Sequence, residues 1–141
     1  IAVRNGDIEM EIYPMGTFTE KLRAGGAGIE AFYTPTGVGT VVEEGKEKRS
    51  FNGQEYLLET ALKPDYAFVY AHTGDRMGNL RCHKTARNYN PEMAAAAHVT
   101  IAACENVVEP GEIEGDGVHI PGIYVQRIVK VERPSYFPNI D

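Results

Sequence analysis

Cysteine is scarce in this sequence, which has two among 141 residues. Cys82 and Cys104 are too few and too far apart for a disulfide framework or a zinc ribbon, so a reducing, cytoplasmic location is expected. Cys82 is followed directly by His83, and adjacent residues lack the spacing that joint metal ligation requires. We therefore expect no metal site.

Long apolar runs and an excess of basic residues are also missing. No stretch approaches the roughly 20 apolar residues of a membrane-spanning helix, and the first residues, IAVRNG, do not resemble a signal peptide. The 14 Lys and Arg are outnumbered by 20 Asp and Glu, which gives a formal net charge of −6. Because phosphate contacts require a basic surface, we do not expect nucleic acid as a partner. The missing apolar stretch argues likewise against a membrane as a partner. The length is that of one domain, and the start on isoleucine suggests the later part of a longer polypeptide.

Small residues are concentrated in RAGGAGIEAFYTPTGVGT, at 23–40. The GGAG run at 25–28 follows a predicted helix, and the apolar run at 29–33 leads into the turn TPTG at 34–37. Glycine lets the backbone take positive φ and lets a ligand or another polypeptide come close to the peptide groups. We interpret this stretch as the wall of a site. The alternative is a helix C-cap with a chain reversal, which glycine clusters form more often.

Local patterns predict the elements of the first half. Residues 7–13, DIEMEIY, alternate polar and apolar, which predicts a strand with Ile8, Met10 and Ile12 on one face. Residues 17–20, TFTE, form the pattern of a capping box for a short helix that ends at Gly25. Asn52-Gly53 predicts a β-hairpin, because both residues tolerate the positive φ of a type I′ turn.

Two apolar runs organise the second half. Residues 66–71 predict a strand that is buried on both faces, and residues 99–104 predict a second buried strand. A glycine-punctuated loop at 72–79 follows the first strand, at the edge where α/β sheets bind ligands. Asn90 and Pro91 predict a helix with Asn90 as its N-cap. We further expect an acidic loop at 105–117 and a last strand at 123–129.

Seven segments occur in a consistent order: LRAGGAG (22–28), AFYTPTGVGT (31–40), FNGQEYLLE (51–59), DRMGNL (75–80), KTARNYNP (84–91), VEPGEI (108–113) and HIPGIYVQRIV (119–129). Together they resemble the A (α) subunit of class I coenzyme A transferases, especially the 3-oxoacid type. The resemblance implies an α/β fold with a mainly parallel open sheet, flanking helices and a β-hairpin. Residues 1–131 would be the later part of the A-subunit domain, and 132–141 an extended C-terminal tail.

The resemblance also implies an activity. Enzymes of this family combine A and B halves, either as separate chains or fused, and move CoA from succinyl-CoA or another acyl-CoA to a 3-oxoacid. The partner expected here is a B subunit or domain, in an A2B2 hetero-oligomer. Coenzyme A is then a substrate, and no cofactor is expected. A glutamate of the B half attacks the thioester and becomes a glutamyl-CoA intermediate, which is covalent catalysis by a carboxylate.

The nucleophile of the family lies in a Ser-Glu-Asn-Gly motif of the B half, and this sequence has no such motif. The nearest match, Cys104-Glu105-Asn106-Val107, lacks the glycine. We therefore interpret Glu105 as an ordinary loop residue and assign no catalytic residue to this chain. The Gly-Gly-Phe-Gly turn of the family's N-terminal A-subunit stretch is also absent.

Site residues are expected where the family contacts its substrates. Relatives commonly read Thr-Pro-Gln-Gly where this sequence has YPMG at 13–16. Met15 forms no strong hydrogen bonds, so either the acyl group is less polar, or another residue holds its carboxylate, or Met15 fills core volume. The guanidinium of Arg87 would either bind a carboxylate or phosphate bidentately or bridge loop carbonyls. The expected substrate-binding residues are Met15, Gly16, Gly25, Gly26, Ala27, Gly28, Thr34, Thr36, Arg87 and Asn88.

Two other functions are compatible with this pattern. The A subunit of a 3-oxoadipate CoA-transferase would differ only in its acyl pocket. A ligand-sensing domain could keep the same fold without chemistry, because fold does not fix function.

Overall fold

Two β-sheets and three α-helices make up the described part of the chain, residues 2–132 of the computed structural model. The predicted tail lies outside these residues except for Glu132. The helices are α1 (Ala2–Asn5), α2 (Met15–Gly26) and α3 (Asn90–Ala96). The strands are β1 (Ala31–Thr34), β2 (Lys48–Phe51), β3 (Gln54–Thr60), β4 (Tyr66–Asp75), β5 (Leu80–Arg81), β6 (Val99–Val108) and β7 (Arg127–Lys130).

The larger sheet has four strands in the order β5-β4-β6-β7. Strands β4, β6 and β7 are parallel, and β5 pairs antiparallel with β4. Tyr66 lies beside Val99 at one end of the β4–β6 pair, and Asp75 lies beside Val108 at the other. Helix α3 is in the connection between β4 and β6, because parallel strands need a crossover. The predicted α/β fold with a mainly parallel sheet is confirmed.

The smaller sheet is antiparallel, in the order β1-β3-β2. Strands β2 and β3 form the predicted hairpin, with Asn52 at φ 52° and Gly53 at φ 83° in its turn. Both angles are positive, as a type I′ turn requires. The pairing of β1 with β3 makes this a separate sheet, which the sequence patterns did not predict.

One face of the larger sheet is covered and the other is open. On the covered side, small residues of β4 and β6 allow α3 to approach closely, and the core there consists of Ala67, Val69, Ala71, Leu80, Cys82, Ala94, Ala102, Cys104 and Ile120. On the other side, Tyr66 is 60% exposed and Phe68 is 71% exposed. The prediction that residues 66–71 are buried on both faces is therefore wrong. The side chains alternate between the two faces, as in any strand, and within residues 2–132 only one face has a covering layer.

A buried carboxylate joins α2 to the smaller sheet. Glu59 of β3 is 2% exposed and forms ion pairs with Lys21 at 3.3 Å and with Lys46 at 2.5 Å. The ring of Tyr13 lies over Lys21, with its centroid 4.6 Å from the ammonium nitrogen. Burial, followed by the neighbouring Glu11, raises the pKa of Tyr13 to about 12. The cluster therefore connects the chain before α2, helix α2, strand β3 and the loop before β2.

Two predictions near the N-terminus are wrong. Residues 7–13 form neither strand nor helix. A strand needs a neighbouring strand to pair with, and none in the described part of the chain lies beside them. Helix α2 begins at Met15 and not after a Thr17 cap, because the carbonyl of Pro14 accepts the first helical bond from the Phe18 N–H at 2.9 Å. Thr17 is then inside the first turn, and Glu20 pairs with Arg23 instead of capping the helix. The helix ends one residue later than predicted, at Gly26.

The boundaries of the second half also differ from the predictions. Residues 72–75 of the predicted loop belong to β4, and residues 105–108 of the predicted acidic loop belong to β6. The last strand covers 127–130, and a 3-10 turn lies at Gly122–Tyr124. Asn90 is the first residue of α3 and not its cap, since its amide donates to the carbonyls of Tyr70 and Ala86. The hydrogen bond from Asn90 to Tyr70 joins α3 to β4, and local sequence patterns do not reveal a contact between residues so far apart in the chain.

Candidate functional site

Helix α3 runs antiparallel to β4. Near its start, the side chain of Asn90 donates to the carbonyl of Tyr70 at 3.1 Å. Just beyond its end, the N–H of His98 donates to the carbonyl of Pro64 at 3.1 Å. The helix therefore begins on the side toward which the parallel strands run. In open α/β sheets this carboxyl edge is where ligands bind.

Helix α2 lies beside α3 and points the same way. The rings of Phe18 and Tyr89 meet edge to face with centroids 6.4 Å apart, close to the starts of the two helices. Toward their ends, a Cβ at Gly26 would lie 2.9 Å from Ala95. The first turn of α2 and the segment before α3 therefore share the carboxyl edge. The segments that carry the predicted site residues Met15, Gly16, Arg87 and Asn88 therefore lie toward this edge.

These four residues are open to solvent. Met15 is 58% exposed, so the alternative that it fills core volume is wrong. Gly16 has open space where a side chain would stand. The guanidinium of Arg87 has no hydrogen-bond or ion-pair partner within residues 2–132, so it does not bridge loop carbonyls there. Asn88 takes the uncommon φ of 36°, and its N–H donates to the carbonyl of Thr85 at 3.2 Å.

The GGAG run lies at the other end of α2, and packing explains its glycines. A side chain at Gly25 would overlap the carbonyl of Leu62, and Gly26 is in contact with α3. Gly28 has φ 72°, and the next N–H, that of Ile29, donates back to the carbonyl of Ala24 at 2.9 Å. This is the geometry of a glycine-terminated helix. The role of Gly25, Gly26, Ala27 and Gly28 in substrate binding stays a prediction.

Thr34 and Thr36 are in a third place, at the end of β1 in the smaller sheet. The Thr34 hydroxyl accepts a hydrogen bond from the Thr36 N–H at 3.2 Å, which closes a local turn. The hydroxyl of Thr34 can still donate its proton. The ten predicted residues are thus divided among three regions of the fold, and their joint role as one wall stays a prediction.

A polar cluster that the sequence did not predict lies in the carboxyl half of the larger sheet. Glu105 is in β6 with its side chain 18% exposed, and it accepts a hydrogen bond from the Tyr70 hydroxyl. His72 places Nδ1 3.5 Å from the other carboxylate oxygen, and its ring meets that of His83 at 5.5 Å. The interpretation of Glu105 as a loop residue is wrong. The alternating burial of β6 continues to Glu105, but the sequence, in which two polar residues follow an apolar run, gives no signal of it.

The turn after β4 is built on Asp75, which is 2% exposed. One carboxylate oxygen accepts from the N–H groups of Met77 and Asn79 at 2.9 and 3.0 Å, and the other accepts from the Asn79 amide at 2.8 Å. The Asn79 side-chain oxygen in turn accepts from the Gly122 N–H at 2.9 Å. The DRMGN motif therefore joins the end of β4 to the segment before β7.

Replacing Asp75 with alanine is expected to lower the free energy of unfolding by about 2–4 kcal/mol, because three donors lose their acceptor in a buried turn. A urea titration measures the loss. The exposed Asp116 provides the matched control, and Asp116→Ala should stay within about 0.5 kcal/mol of the parent. Equal urea midpoints for the two variants would show that the carboxylate does not organise this turn.

An open cleft of about 580 Å³ lies beside the same turn. Among the described residues, its lining includes Arg76, Arg127 and Lys130 and no carboxylate, although Glu109 forms an ion pair with Arg76 at 2.7 Å. Such a lining favours anionic groups over cations. Its position next to the carboxyl edge makes the cleft a second place where part of a charged substrate could lie.

Neither cysteine is suited to chemistry. Burial raises the pKa of Cys104 to about 11, with Cys82 as a smaller cause. Burial also raises the pKa of Cys82, while Arg87 and Asn90 oppose that rise. Both thiols therefore stay protonated near neutral pH. Within residues 2–132 no three His, Cys, Asp or Glu side chains are grouped to hold a metal ion, and no helix there has the length and apolarity to cross a membrane.

Comparison with known families decides the assignment. The profile of the family described as coenzyme A transferase matches residues 2–131, nearly the whole chain. The chain belongs to the coenzyme A transferase family. The resemblance inferred from the seven sequence segments is thereby confirmed.

Similar proteins within the coenzyme A transferase family are named as A subunits. The chain is 56% identical over 130 residues to the A subunit of succinyl-CoA:3-ketoacid coenzyme A transferase from Xanthomonas campestris, covering 92% of this chain and 54% of that protein. It is 54% identical over 129 residues to the A subunit of the enzyme with the same name from Helicobacter pylori, covering 92% and 56%. The chain thus spans about half the length of the relatives that it matches.

Solved structures of coenzyme A transferases share the fold. An acyl-CoA transferase from Escherichia coli, in a thioester complex with CoA, aligns with a TM-score of 0.82 at 24% identity, covering 92% of this chain and 31% of that one. Glutaconate coenzyme A-transferase from Acidaminococcus fermentans aligns with a TM-score of 0.82 at 18% identity, covering 93% and 48%. At these identities the likeness supports the fold alone.

Proposed function

We propose that this chain is part of the A subunit of a transferase that moves CoA from succinyl-CoA, or another acyl-CoA, to a 3-oxoacid. The observation that carries the proposal is the shared name of the relatives at 54–56% identity, which are A subunits of succinyl-CoA:3-ketoacid coenzyme A transferases. These names favour the 3-oxoacid reaction over the 3-oxoadipate and ligand-sensing alternatives. An A subunit implies a B subunit, and we propose an A2B2 assembly.

The nucleophile in this proposal belongs to the B subunit. Its glutamate carboxylate attacks the thioester carbonyl. The C–S bond breaks, the CoA thiolate departs, and an acyl-glutamyl anhydride is formed. The thiolate then attacks the glutamyl carbonyl, which releases the donor as a free carboxylate and leaves glutamyl-CoA. The same steps in reverse order load the 3-oxoacid. No electrons are transferred to or from an outside reagent, so no redox cofactor is needed.

The role proposed for this chain is to line the pocket and to supply positive charge to it. The exposed start of α2 carries Met15 and Gly16, and the exposed guanidinium of Arg87 is free to bind a substrate carboxylate or phosphate bidentately. Each tetrahedral intermediate also needs preorganised donors for its oxyanion, and exposed backbone N–H groups at a helix start can supply them. The cytoplasm remains the proposed location.

The experiment that tests this function is an acyl-exchange assay with and without the B subunit. The chain by itself should exchange no CoA between succinyl-CoA and a 3-oxoacid. Together with a B chain that carries Ser-Glu-Asn-Gly and the rest of the A subunit, it should be active. A complete assembly that binds both substrates without exchange would exclude the proposed reaction.

The acyl preference is expected to change when Met15 is replaced with glutamine. The new amide would lie at the exposed start of α2 and could donate to a second carboxylate on the acyl group. A hydrogen bond to a charged group is worth about 1.5–3 kcal/mol, so kcat/KM for dicarboxylic donors should rise at least about tenfold relative to monocarboxylic donors.

The matched control for this change is Met15→Leu, which alters the shape of the side chain but adds no hydrogen-bonding group. Its ratio of kcat/KM values for dicarboxylic and monocarboxylic donors should stay near that of the parent assembly. If the glutamine and leucine variants rank the donors alike, residue 15 does not contact the acyl group.

A further inference from the structure

The hydroxyl of Thr17 is buried without a hydrogen-bond partner among residues 2–132. Thr17 is 4% exposed, and its Oγ1 is shielded from solvent and bonds to no donor or acceptor there. The other buried side-chain oxygen in this state is Oε2 of Glu92, so these two groups do not bond each other. Buried polar atoms in folded proteins are nearly always hydrogen-bonded. The Thr17 hydroxyl therefore calls for a partner from outside the fold.

Other threonines of this chain show how such a hydroxyl is normally bonded. In a helix it can bond to the carbonyl three or four residues earlier, and Thr19 bonds in this way to Met15 at 2.9 Å. Thr100, which is fully buried, donates to the carbonyl of Ala94 at 3.1 Å. Thr17 makes no bond of either kind and provides no cap for α2. The fold therefore does not use the Thr17 hydroxyl for its own stability.

Thr17 lies in the first turn of α2, the end of the helix that lies toward the carboxyl edge. Side chains of a helix lean toward its start, so that of Thr17 leans toward Met15 and Gly16. Met15 is 58% exposed, and a side chain at Gly16 would meet nothing within 4 Å. The first N–H groups of a helix lack helical partners, and that of Phe18 is the first to have one, the carbonyl of Pro14. The hydroxyl and the unpaired N–H groups thus lie at the same open helix end.

We propose that Thr17 is a further substrate-binding residue, whose hydroxyl donates to the free carboxylate of a succinyl group. A helix start with unpaired N–H groups favours an anion, and a hydroxyl adds a directed donor. Met15 supplies no such donor, so Thr17 is the other residue that holds the acyl carboxylate. A helical threonine has two accessible χ1 rotamers, so the hydroxyl can turn toward a ligand without breaking a bond to the protein. The inference rests on the proposed function and names the residue that selects dicarboxylic donors.

The test compares succinyl-CoA with butyryl-CoA, whose acyl group has the same number of carbon atoms but no second carboxylate, in a complete assembly of A and B subunits. Thr17→Val replaces the hydroxyl with a methyl group of similar shape. Its ratio of kcat/KM for succinyl-CoA to kcat/KM for butyryl-CoA should fall at least about tenfold, because a hydrogen bond to a charged group is lost. Thr17→Ser keeps the hydroxyl and should keep the parent ratio.

A urea titration of this chain separates binding from a structural role. Thr17→Val loses no hydrogen bond within the described residues, so its urea midpoint should be no lower than that of the parent. Thr100→Val is the matched control, because it loses the bond to Ala94, and its midpoint should fall while its donor ratio stays at the parent value. A midpoint of Thr17→Val as low as that of Thr100→Val would show that the hydroxyl is bonded within the fold and would overturn the inference.

An unchanged donor ratio in Thr17→Val would also overturn it, whatever the urea midpoint. An equal fall of the ratio in Thr17→Ser would do the same, because the hydroxyl would then not be the group that acts. If the valine variant does not fold, Thr17→Ala replaces it, with the same expected fall in the ratio. A parent assembly that exchanges no CoA would refute the proposed function, whereas parent exchange with an unchanged ratio in the variant would refute this inference alone.

Discussion

Replacing Glu59 with alanine is expected to lower the free energy of unfolding by about 3–5 kcal/mol. Glu59 is buried between Lys21, whose side chain is 5% exposed, and Lys46, whose side chain is 22% exposed. Without the carboxylate, Lys21 keeps a buried charge with no anionic partner. The cost of that uncompensated charge is larger than the net gain from the ion pair itself.

The measurement is a urea titration with a surface ion pair as its control. Glu109→Ala removes the pair with Arg76, whose side chains are 66% and 67% exposed, and it should cost at most about 1 kcal/mol. The double variant Lys21→Met with Glu59→Leu removes both buried charges and should regain much of the lost stability. If Glu59→Ala costs no more than Glu109→Ala, the cluster does not hold α2 against the smaller sheet.

Predictions from sequence succeeded where a short pattern has one stable solution. Asn52-Gly53 fixed the hairpin, because few residue pairs accept two positive φ angles. The apolar runs at 66–71 and 99–104 gave the two central parallel strands. Their surroundings were harder to predict, since the same apolar residues would fit a strand with one covered face or two. The exposure of Phe68 reports which layers are present, and a strand's own sequence does not contain that information.

Failures occurred where distant residues decide the local structure. Residues 7–13 have the pattern of a strand, but a strand exists only with a partner, and no described residue provides one. Glu105 was predicted to lie in a loop because the apolar run ends at Cys104 and an acidic loop was expected at 105–117, whereas it lies within β6. It is held there by Tyr70 of the neighbouring strand, 35 residues away in the chain.

The candidate site could be predicted only in part. The sequence pointed to Met15, Gly16, Arg87 and Asn88, and the fold brings the segments that carry them to one sheet edge. It also pointed to the GGAG run, where a close approach of Leu62 and the end of a helix give structural reasons for the glycines. Glycine permits both close packing and ligand approach, so composition alone does not separate the two.

Activity is expected to depend entirely on a second chain. This sequence lacks the Ser-Glu-Asn-Gly motif that carries the nucleophile in the B half, and its own nearest match, around Glu105, lies within β6 and is bonded to Tyr70. A carboxylate held in this way is poorly placed to attack a thioester. The chain alone should therefore show no exchange above the uncatalysed rate, and Glu105→Gln in a complete assembly should retain the glutamyl-CoA intermediate.

The most direct test is to find where CoA becomes covalently attached. A complete assembly containing this chain is incubated with succinyl-CoA in the absence of a 3-oxoacid, so that the glutamyl-CoA intermediate accumulates, and the intact mass of each chain is then measured. The account predicts a mass increase of one CoA thioester on the B chain and none on this chain. A CoA adduct on any glutamate of this chain would contradict it.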